Sequence, residues 1–464
     1  MRSSLRHILE KKKIQKHGEI KNSTLLIIAF ATAFFPRLLS SFGAPSIINF
    51  VHFGTIPGAF LVAILTTRLK DRKRVSIVWE LLAGLLILLA TLLASALFNE
   101  AGIVNALLQF MFQAEPFMFV AALIALSLTE ERIDKIHSWL LGFALFNLVL
   151  AILQSVLMPI GIYPKPKGGT IQDNITGVFG GGGGSAANYV SCNVSFYFSL
   201  YFFSQFRQFP FWVRMLPLLG ALYQIQVSDS KQVFLGLVVG WALLALTKVE
   251  RPVKLLAYFS VGLIAILIFS WALQNLESEF LEPYQNWVNR PIWGWTGLAV
   301  QTKFAAFRII PSHFDSPLNW LFGLGPGHTV TRLGGWFLTK DKALQSLLMP
   351  LGATVHPASL EVWEVVNTSF LPQESTVYFP LFTWAGFWGD AGFVGVLAYL
   401  YLCSIVWRRI CKDDFSKFLI LSTASFGWIL TQMEEPGHLL TVACLIALKW
   451  QAKSEGTGQL KVDG

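Results

Sequence analysis

Charged residues are scarce in this chain. They make up 14% of its 464 residues, whereas 54% are hydrophobic and the mean hydropathy is +0.55. A typical soluble domain contains about 25% charged residues, so an ordinary soluble protein is excluded. Apolar stretches of about 20 residues recur along the sequence, and this is the length that a helix needs to cross the hydrocarbon layer of a membrane. The composition therefore predicts an all-α polytopic membrane protein.

Cysteine is also scarce, with four residues that lie singly on or beside apolar stretches: Cys192, Cys403, Cys411 and Cys444. Their spacing matches neither a disulfide framework nor a metal site. We interpret them as small apolar residues, and we predict no metal and no cofactor. The net charge of +9 comes from basic residues in the loops between apolar stretches, and a membrane topology signal explains this placement. We therefore expect no nucleic-acid partner.

Twelve apolar segments are interpreted as transmembrane helices. They cover residues 25–42, 44–66, 75–98, 102–128, 137–160, 186–205, 211–227, 232–247, 255–276, 381–406, 418–432 and 438–450. Two of them are irregular. Pro36 and Arg37 interrupt the first segment, and Glu115 and Pro116 split the fourth.

The lysines and arginines favour one orientation of these segments. Most of the 36 basic residues fall on the side of the N-terminus, and basic loops stay in the cytoplasm. The predicted regions are a basic cytoplasmic tail (1–24), helices 1–9 (25–276), a large periplasmic loop with short helices (277–380), helices 10–12 (381–450) and a second cytoplasmic tail (451–464). We predict a multi-pass protein of the bacterial inner membrane with both termini in the cytoplasm.

The long loop 277–380 is where we expect chemistry. It is too polar to lie in lipid, and it is rich in tryptophan and histidine. A glycine-rich turn lies near its centre and contains Gly323, Gly325, Pro326 and Gly327. We predict that the reaction occurs where this loop meets the membrane.

Basic residues on the outer side are disfavoured by the topology signal, so they require another explanation. We predict that Lys231, Arg308, Lys303 and Arg332 bind a diphosphate. Arg308 is the preferred specific contact because a guanidinium binds phosphate through two parallel hydrogen bonds. Two simpler interpretations stay open: Lys231 pairs with Asp229, and residues 303–310 form an amphipathic helix that only anchors the loop at the interface.

The catalytic residues that we predict are Glu374, Arg308 and His328. A carboxylate beside a lipid boundary has a raised pKa and can accept a proton from a hydroxyl, which suits Glu374 as a general base. His328 and His356 are alternative bases, although a single loop histidine is more often structural. Neither histidine belongs to a metal-ligand pattern.

These motifs together resemble the O-antigen ligase and Wzy-type O-antigen polymerase family. The glycine-rich turn Leu321–Gly327 within the largest outer loop is the most specific part of the resemblance. Ser230-Lys231 is similar to the family's Ser-Arg turn, and Arg308 is similar to the arginine about twenty residues before the glycine-rich turn. Gly392-Phe393-Val394-Gly395, or Gly386-Phe387-Trp388-Gly389, is similar to the Gly-x-x-Gly that opens the helix after the loop.

Two features depart from the family pattern. Lys231 stands where the family has an arginine, and the histidine that precedes the Gly-x-x-Gly in ligases has no counterpart. The general base is therefore left open between Glu374 and a loop histidine.

The resemblance implies a GT-C-like membrane protein and a metal-independent glycosyltransferase. Its donor would be a glycan on undecaprenyl diphosphate, and its acceptor a hydroxyl of another glycan or lipid on the periplasmic face. Membrane lipids and a chain-length regulator or flippase are the further partners that it implies. The diphosphate is a ready leaving group, so the site needs cations and one base.

A transporter or lipid-linked glycan flippase is the alternative function, including a role in bicarbonate transport. Such a protein buries ionisable residues near the middle of the membrane and has paired halves. The sequence offers Glu115, His52 and Arg37 as deep ionisable residues and no repeat between its halves. A non-catalytic scaffold in an envelope assembly is a third possibility.

Overall fold

The computed structural model describes residues 22–66, 71–126, 128–163, 170–180, 187–249, 252–276, 281, 285, 292 and 297–459. Within these ranges the regular structure is helical throughout, and no strand occurs. Three predicted regions lie wholly or partly outside the described residues. They are most of the basic tail 1–24, the part of the predicted loop before residue 297 except for three single residues, and the end of the second tail.

The helices are numbered in chain order. They are α1 (Asn22–Phe34), α2 (Pro36–Ser41), α3 (His52–Thr66), α4 (Arg72–Phe98), α5 (Ile103–Ala125), α6 (Glu130–Leu157), α7 (Ala187–Gln205), α8 (Phe211–Val227), α9 (Lys231–Leu246), α10 (Pro252–Asn275), α11 (Leu298–Lys303), α12 (Ala305–Ser312), α13 (Leu318–Phe322), α14 (Lys342–Leu348), α15 (Pro357–Thr368), α16 (Leu371–Glu374), α17 (Thr383–Ile405), α18 (Asp414–Phe426) and α19 (Pro436–Gln459). Short single-turn helices connect several of them.

Among the described residues, five helical stretches are long and apolar enough to cross a membrane. They are Ile47–Thr66, Arg72–Phe98, Ile103–Ala125, Glu130–Leu157 and Thr376–Ile410. Each overlaps one of the segments predicted from the sequence. This number of long apolar helices indicates a membrane protein, as the composition predicts.

Helix α5 lies at the centre of the bundle, where it packs against α3, α4 and α19. Every residue from 112 to 125 is buried, which is why this helix carries large apolar side chains on all its faces. The same position encloses polar side chains of α5, among them Gln109 and Glu115. A buried polar group is costly unless it is hydrogen-bonded, so these residues need polar partners from other elements.

Residues 297–382 form a set of short helices, here called the cap, at one end of the bundle. Asn105 at the start of α5 donates to the carbonyl oxygens of Pro326 and Thr354, both at 2.9 Å. Ser95 near the end of α4 donates to the carbonyl oxygen of Phe322. The end of the bundle that bears these contacts is called the cap end.

The opposite end of the bundle, called the basic end, is rich in lysine and arginine. Arg74 at the start of α4 donates to the carbonyl oxygens of Ile124 and Leu126, both at 3.1 Å. Arg409 donates to Ser76 at 2.8 Å, near the same end of α4. These contacts join the start of α4 to the C-terminal ends of α5 and α17.

Candidate active site

The glycine-rich turn lies against helix α17, where the helix is interrupted at Gly392. Leu324 N–H donates to the Gly389 carbonyl at 2.8 Å, and Gly325 N–H donates to the Asp390 carbonyl at 3.1 Å. Gly323 has a φ of 70°, and a Cβ atom there would lie 2.5 Å from the Asp390 backbone. Only glycine combines this left-handed conformation with so close an approach.

Asp390 fixes the turn through its side chain. Its carboxylate accepts hydrogen bonds from the N–H groups of Gly327 and Thr329, both at 2.8 Å, and from the hydroxyls of Thr329 and Thr331, both at 2.7 Å. Four donors of the cap therefore converge on one buried carboxylate of α17. The turn is a structural clasp between the cap and the bundle, and this assigns a role to the glycine-rich motif without any ligand.

His328 is part of the same clasp. Its Nδ1–H donates to the Leu324 carbonyl at 2.7 Å, and its Nε2 accepts from the Thr354 hydroxyl at 2.8 Å. Its ring stacks on His356 with 5.3 Å between centroids, and burial lowers the pKa of His328. Both ring nitrogens are engaged, so the structure favours a packing role for His328 over the predicted catalytic role.

Arg308 lies on the exposed face of α12. The opposite face buries Ala305, Ala306, Ile309 and Ile310, so the predicted amphipathic helix is present. Arg308 makes no ion pair or hydrogen bond with any residue that the structure describes. This geometry agrees with the interfacial anchor that the sequence left open, and it supplies no diphosphate contact by itself.

Lys303 is held by backbone carbonyl groups. Its amine donates to Phe379 at 2.9 Å and to Ile429 at 2.6 Å, and it lies 4.8 Å from the centre of the Phe382 ring. Burial lowers the pKa of Lys303 to about 7. The side chain thus connects the cap to the segment after α18, and two of its three N–H donors are used in these contacts.

Lys231 and Glu374 lie in neighbouring segments. Lys231 forms an ion pair with Asp229 at 2.7 Å, which is the simple pairing that the sequence left open. The adjacent Gln232 donates to Ser375 at 3.1 Å, so the start of α9 lies beside the end of α16. Glu374 is exposed. The segments that carry Lys231 and Glu374 therefore lie side by side. Arg308 takes part in none of these contacts.

Arg332 occupies a different environment from the other predicted cations. It is 9% exposed, and its guanidinium forms an ion pair with Glu435. Arg37 binds the other oxygen of the same carboxylate at 2.6 Å. Two arginines that are distant in sequence thus share a single carboxylate at the cap end.

Glu434 completes this group. It accepts the Arg332 backbone N–H at 2.9 Å and lies 3.4 Å from the side-chain nitrogen of Gln109. We call Arg37, Arg332, Glu434, Glu435 and Gln109 the arginine cluster. Burial raises the pKa of Glu434 to about 8. Although burial opposes the ionisation of Glu435, Arg332 and then Arg37 hold the pKa of that carboxyl at about 2.

Polar atoms without partners are concentrated around the arginine cluster. Among the described residues, six buried side-chain atoms there have no hydrogen-bond partner: Gln109 Oε1, Asn193 Oδ1, Arg332 Nε, Gln432 Nε2, Glu434 Oε1 and His438 Nε2. Native proteins pair more than about 90% of such atoms. Their concentration at one place indicates a site at which polar groups are available to a ligand or to water.

A second buried ionisable pair joins α3 to α5. His52 Nδ1 is 2.8 Å from the carboxylate of Glu115, and both side chains are almost fully buried. The guanidinium of Arg332 packs over the Phe112 ring at 5.7 Å, one helical turn from Glu115. Helix α5 thus contributes to both groups.

The sequence predicted only part of this site. It proposed Arg332 as a phosphate ligand and noted Arg37 as an interruption of the first segment, but it missed Glu434, Glu435 and Gln109. Two adjacent glutamates between the last two apolar segments were an available signal, because acidic residues are rare so close to a membrane core. Asp390 within an otherwise apolar helix was a second one.

These observations define the class of the protein as a helical membrane protein with a buried charged cluster beneath a cap. The chain matches no protein-family model, and a search of curated proteins likewise finds no match. The resemblance to the O-antigen ligase and polymerase family therefore depends on the quoted motifs alone.

Proposed function

We propose that the protein is a bacterial inner-membrane glycosyltransferase of the O-antigen ligase or polymerase type. It would transfer or polymerise a glycan carried on undecaprenyl diphosphate onto an acceptor hydroxyl at the periplasmic face. The observation that carries the proposal is the arginine cluster, in which the buried guanidinium of Arg332 and the partly buried one of Arg37 share one ionised carboxylate beside a carboxyl of raised pKa.

The proposed topology has twelve crossings, with the cap end in the periplasm. It is supported by a helix at each predicted segment, namely α1, α3, α4, α5, α6, α7, α8, α9, α10, α17, α18 and α19. The lysines and arginines that collect at the basic end support a cytoplasmic position for that end. The cap then corresponds to the described part of the predicted periplasmic loop 277–380.

The arginine cluster is suited to a diphosphate. Arg37 and Arg332 carry two positive charges against the one ionised carboxylate of Glu435, so the cluster is net positive while Glu434 is protonated and becomes net positive again as Glu434 takes up the acceptor proton. Arg332 also has an unpartnered Nε among the described residues, so it can donate to a ligand while it stays paired with Glu435. Donors fixed in a buried site stabilise a leaving diphosphate without reorganisation in the transition state.

Glu434 is the general base in this proposal. Its Oε1 has no described partner, and a base works best when its pKa is close to the working pH. The acceptor oxygen attacks the anomeric carbon as its proton passes to Glu434, and the bond from that carbon to the diphosphate oxygen breaks. Undecaprenyl diphosphate then leaves with the bonding electrons, and Glu434 releases its proton to water.

The test is a binding titration of undecaprenyl diphosphate to the purified protein in nanodiscs. Arg332→Gln is expected to weaken binding about tenfold or more, since a hydrogen bond to a charged group contributes about 1.5–3 kcal/mol. Lys342→Gln, which removes an exposed cation of the cap, is the matched control and should bind as tightly as wild type. Unchanged affinity of Arg332→Gln would contradict the assignment.

The same titration tests the other predicted cations. Lys231→Gln and Arg308→Gln should weaken binding if the segments of Lys231 and Glu374 form a second phosphate contact. Normal affinity in both variants would leave the arginine cluster as the diphosphate site and would leave Lys231 to its pairing with Asp229.

One observation favours the alternative, a transporter or lipid-linked glycan flippase. The buried ionisable residues outnumber those that the sequence offered, because Asp390, Glu434 and Glu435 join the pair of His52 and Glu115. Transporters bury such residues along the path of their substrate. Proteoliposomes that take up bicarbonate or move a lipid-linked glycan without forming a new glycosidic bond would support this function over glycosyl transfer.

A further inference from the structure

A cavity of about 340 Å³ opens between the end of α4 and the cap. The bundle contributes Phe98, Asn99 and Glu100 to its lining, and the cap contributes His356 and residues of the segment 315–324. No residue of the arginine cluster lines it. Cavities that bind small molecules measure about 300–1,000 Å³, so this one has space for a small ligand that the proposed reaction does not yet use.

Contacts between the bundle and the cap fix the lining of this cavity. Asn319 donates from its amide to Asn99 Oδ1 at 2.8 Å, and Asn319 Oδ1 accepts the Ser316 backbone N–H at 2.9 Å. The rings of Phe98 and Phe322 lie 5.0 Å apart between centroids. Side chains that are already held in place lose little further entropy when a ligand binds, so the cavity is preorganised.

Two carboxylates of the lining have no counter-ion. Glu100 and Asp315 are exposed, and neither forms a hydrogen bond or an ion pair with any residue that the structure describes. No lysine or arginine occurs among the described residues that line the cavity. Ionised carboxylates only accept hydrogen bonds, so a ligand of this cavity must offer donors. An anionic ligand is disfavoured because like charges would face each other.

His356 adds an uncharged donor to the lining. Its Nδ1 accepts the Ala358 N–H at 3.1 Å and thereby caps α15. The proton of the neutral ring is therefore on Nε2, which has no hydrogen-bond partner among the described residues. Burial lowers the pKa of His356 to about 4, and His328 and His313 act in the same direction. The ring is thus neutral near pH 7 and does not offset the charge of the two carboxylates.

The backbone at Glu100 indicates a role for its side chain. Glu100 has a φ of 52° and follows the last turn of α4, where the Ala101 N–H donates to the Ala96 carbonyl at 2.9 Å. Helices that end in this way usually have glycine at the left-handed position, because a side chain is disfavoured there. The glutamate therefore keeps an unfavourable backbone conformation and supplies a carboxylate to the cavity.

We propose that this cavity, here called the acidic cleft, binds one sugar residue of the acceptor glycan through the hydroxyl or amino groups of that residue. Glu100 and Asp315 accept hydrogen bonds from these groups, and His356 Nε2–H donates to an oxygen of the sugar. The ring of Phe98, which is 60% exposed, packs against the apolar face of the sugar. The choice of a sugar among ligands of this chemistry rests on the proposed function.

The test is saturation-transfer NMR on the full-length protein in nanodiscs, with no lipid-linked donor present. The probes are glucosamine, N-acetylglucosamine and glucuronic acid, which carry an ammonium, a neutral acetamide and a carboxylate. Glucosamine should bind most tightly, because its ammonium meets two carboxylates, and N-acetylglucosamine should bind more weakly. Glucuronic acid should not bind. Binding of glucuronic acid as tight as that of the other two, or no binding of any probe, would overturn the proposal.

Glu100→Gly separates the effect of the side chain from that of the backbone. It removes the carboxylate and relieves the left-handed conformation, so glucosamine binding should weaken about tenfold or more without a loss of Tm. Asp315→Asn should weaken binding by a similar factor. Glu364→Gln, which removes an exposed carboxylate of the cap outside the acidic cleft, is the matched control and should bind as wild type does. Wild-type affinity in both Glu100→Gly and Asp315→Asn would contradict the assignment.

Transfer kinetics test whether the bound sugar belongs to the acceptor. Glu100→Gly should raise the KM for the acceptor about tenfold with little change in kcat, since it removes a contact made equally before and during the reaction. An unchanged KM in a variant that has lost sugar binding would overturn the acceptor role. Undecaprenyl diphosphate should bind this variant as tightly as wild type, because the arginine cluster is intact. Failure of the wild type to bind undecaprenyl diphosphate would count against the proposed function, and the sugar titration would still report on the acidic cleft.

Discussion

Glu434 and Glu435 are adjacent in sequence and behave in opposite ways. Both are buried, which opposes ionisation. Glu435 faces two guanidinium groups, which keep its pKa at about 2, whereas Glu434 receives a backbone N–H and an amide, and burial raises its pKa to about 8. One carboxylate therefore holds the arginines in place and the other can exchange a proton near neutral pH.

The pH dependence of glycan transfer should report the ionisation of Glu434. A general base must be deprotonated, so kcat/KM is expected to rise with pH and to level off above about 8. Glu434→Gln should lower the rate by a factor of about 100 or more, the usual contribution of a general base, with little effect on undecaprenyl diphosphate binding. A pH profile for Glu434→Gln that matches wild type would reassign the base to Glu374.

Glu434 should also affect stability. Its folded pKa lies above its unfolded value, so the folded protein binds more protons between about pH 4.5 and 8. Stability contributed by this group is present below pH 4.5 and is lost as the pH rises towards 8. The Tm of wild type in detergent should therefore fall across this range more steeply than that of Glu434→Gln. Parallel curves for the two proteins would argue against the raised pKa.

Removal of Glu435 should destabilise the fold because it leaves the buried Arg332 and the partly buried Arg37 without a carboxylate. Glu435→Gln is expected to cost about 3–5 kcal/mol, the usual loss when one partner of a buried ion pair is removed. The double variant Arg37→Gln/Glu435→Gln should recover part of the loss, since it leaves one guanidinium unpaired instead of two. Thermal unfolding in detergent measures both changes, and equal Tm values for Glu435→Gln and wild type would contradict the paired geometry.

At the scale of elements, the cap is attached to the bundle by backbone contact as well as by side chains. The turn of Gly323 and the interruption of α17 at Gly392 approach each other so closely that neither position has space for a Cβ atom. Asp390, between them, gathers four hydrogen bonds from the cap. This clasp fixes the position of Arg332, which follows it by only a few residues.

Gly392→Ala should weaken this clasp. A Cβ there would lie 2.3 Å from the Leu321 carbonyl carbon, and the φ of 62° is left-handed. Gly352→Ala is the matched control, since its φ is 94° but no atom lies within 4 Å of an added Cβ. The control should lose only about 1–2 kcal/mol of stability, which is the cost of placing an alanine in a left-handed conformation. Gly392→Ala should lose more stability than the control, and limited proteolysis should then cleave the cap faster. Equal losses of stability in the two variants would show that the contact at Gly392 is not tight.

At the scale of the whole molecule, the distribution of charge separates the two ends of the bundle. The basic end collects contacts such as Arg74 to the end of α5 and Arg409 to Ser76. At the cap end, Arg37 and Arg332 instead share the carboxylate of Glu435, whereas Arg308 is exposed.

The orientation can be tested with reporters at the two ends. A reporter fused at Lys340 in the cap is expected to give a periplasmic signal, and one fused at Lys412, after α17, a cytoplasmic signal. Lys340 and Lys412 lie on opposite sides of the proposed tenth crossing, α17. Signals from the same side at both positions would contradict the twelve-helix arrangement.

Sequence patterns predicted some residues of the site and could not predict others. Arg332 was identifiable because the topology signal disfavours a basic residue on the outer side of the predicted membrane arrangement. The amphipathic pattern around Arg308 predicted α12, and the structure contains this helix. The role of the glycine-rich turn was not predictable, because the turn is fixed by Asp390, a residue more than 60 positions later. The two hydrogen bonds of His328 are likewise invisible in a sequence, and its catalytic role stays a prediction.

The sequence alone determined the helical membrane class, because the length and composition of apolar segments are local properties that the bilayer selects directly. The tertiary structure decided which charges meet. Arg37 and Glu435 are 398 residues apart, and the desolvation of a buried charge is offset only by a partner that the fold places beside it. No local pattern records such a pair, so the arginine cluster emerges only when the helices are packed together.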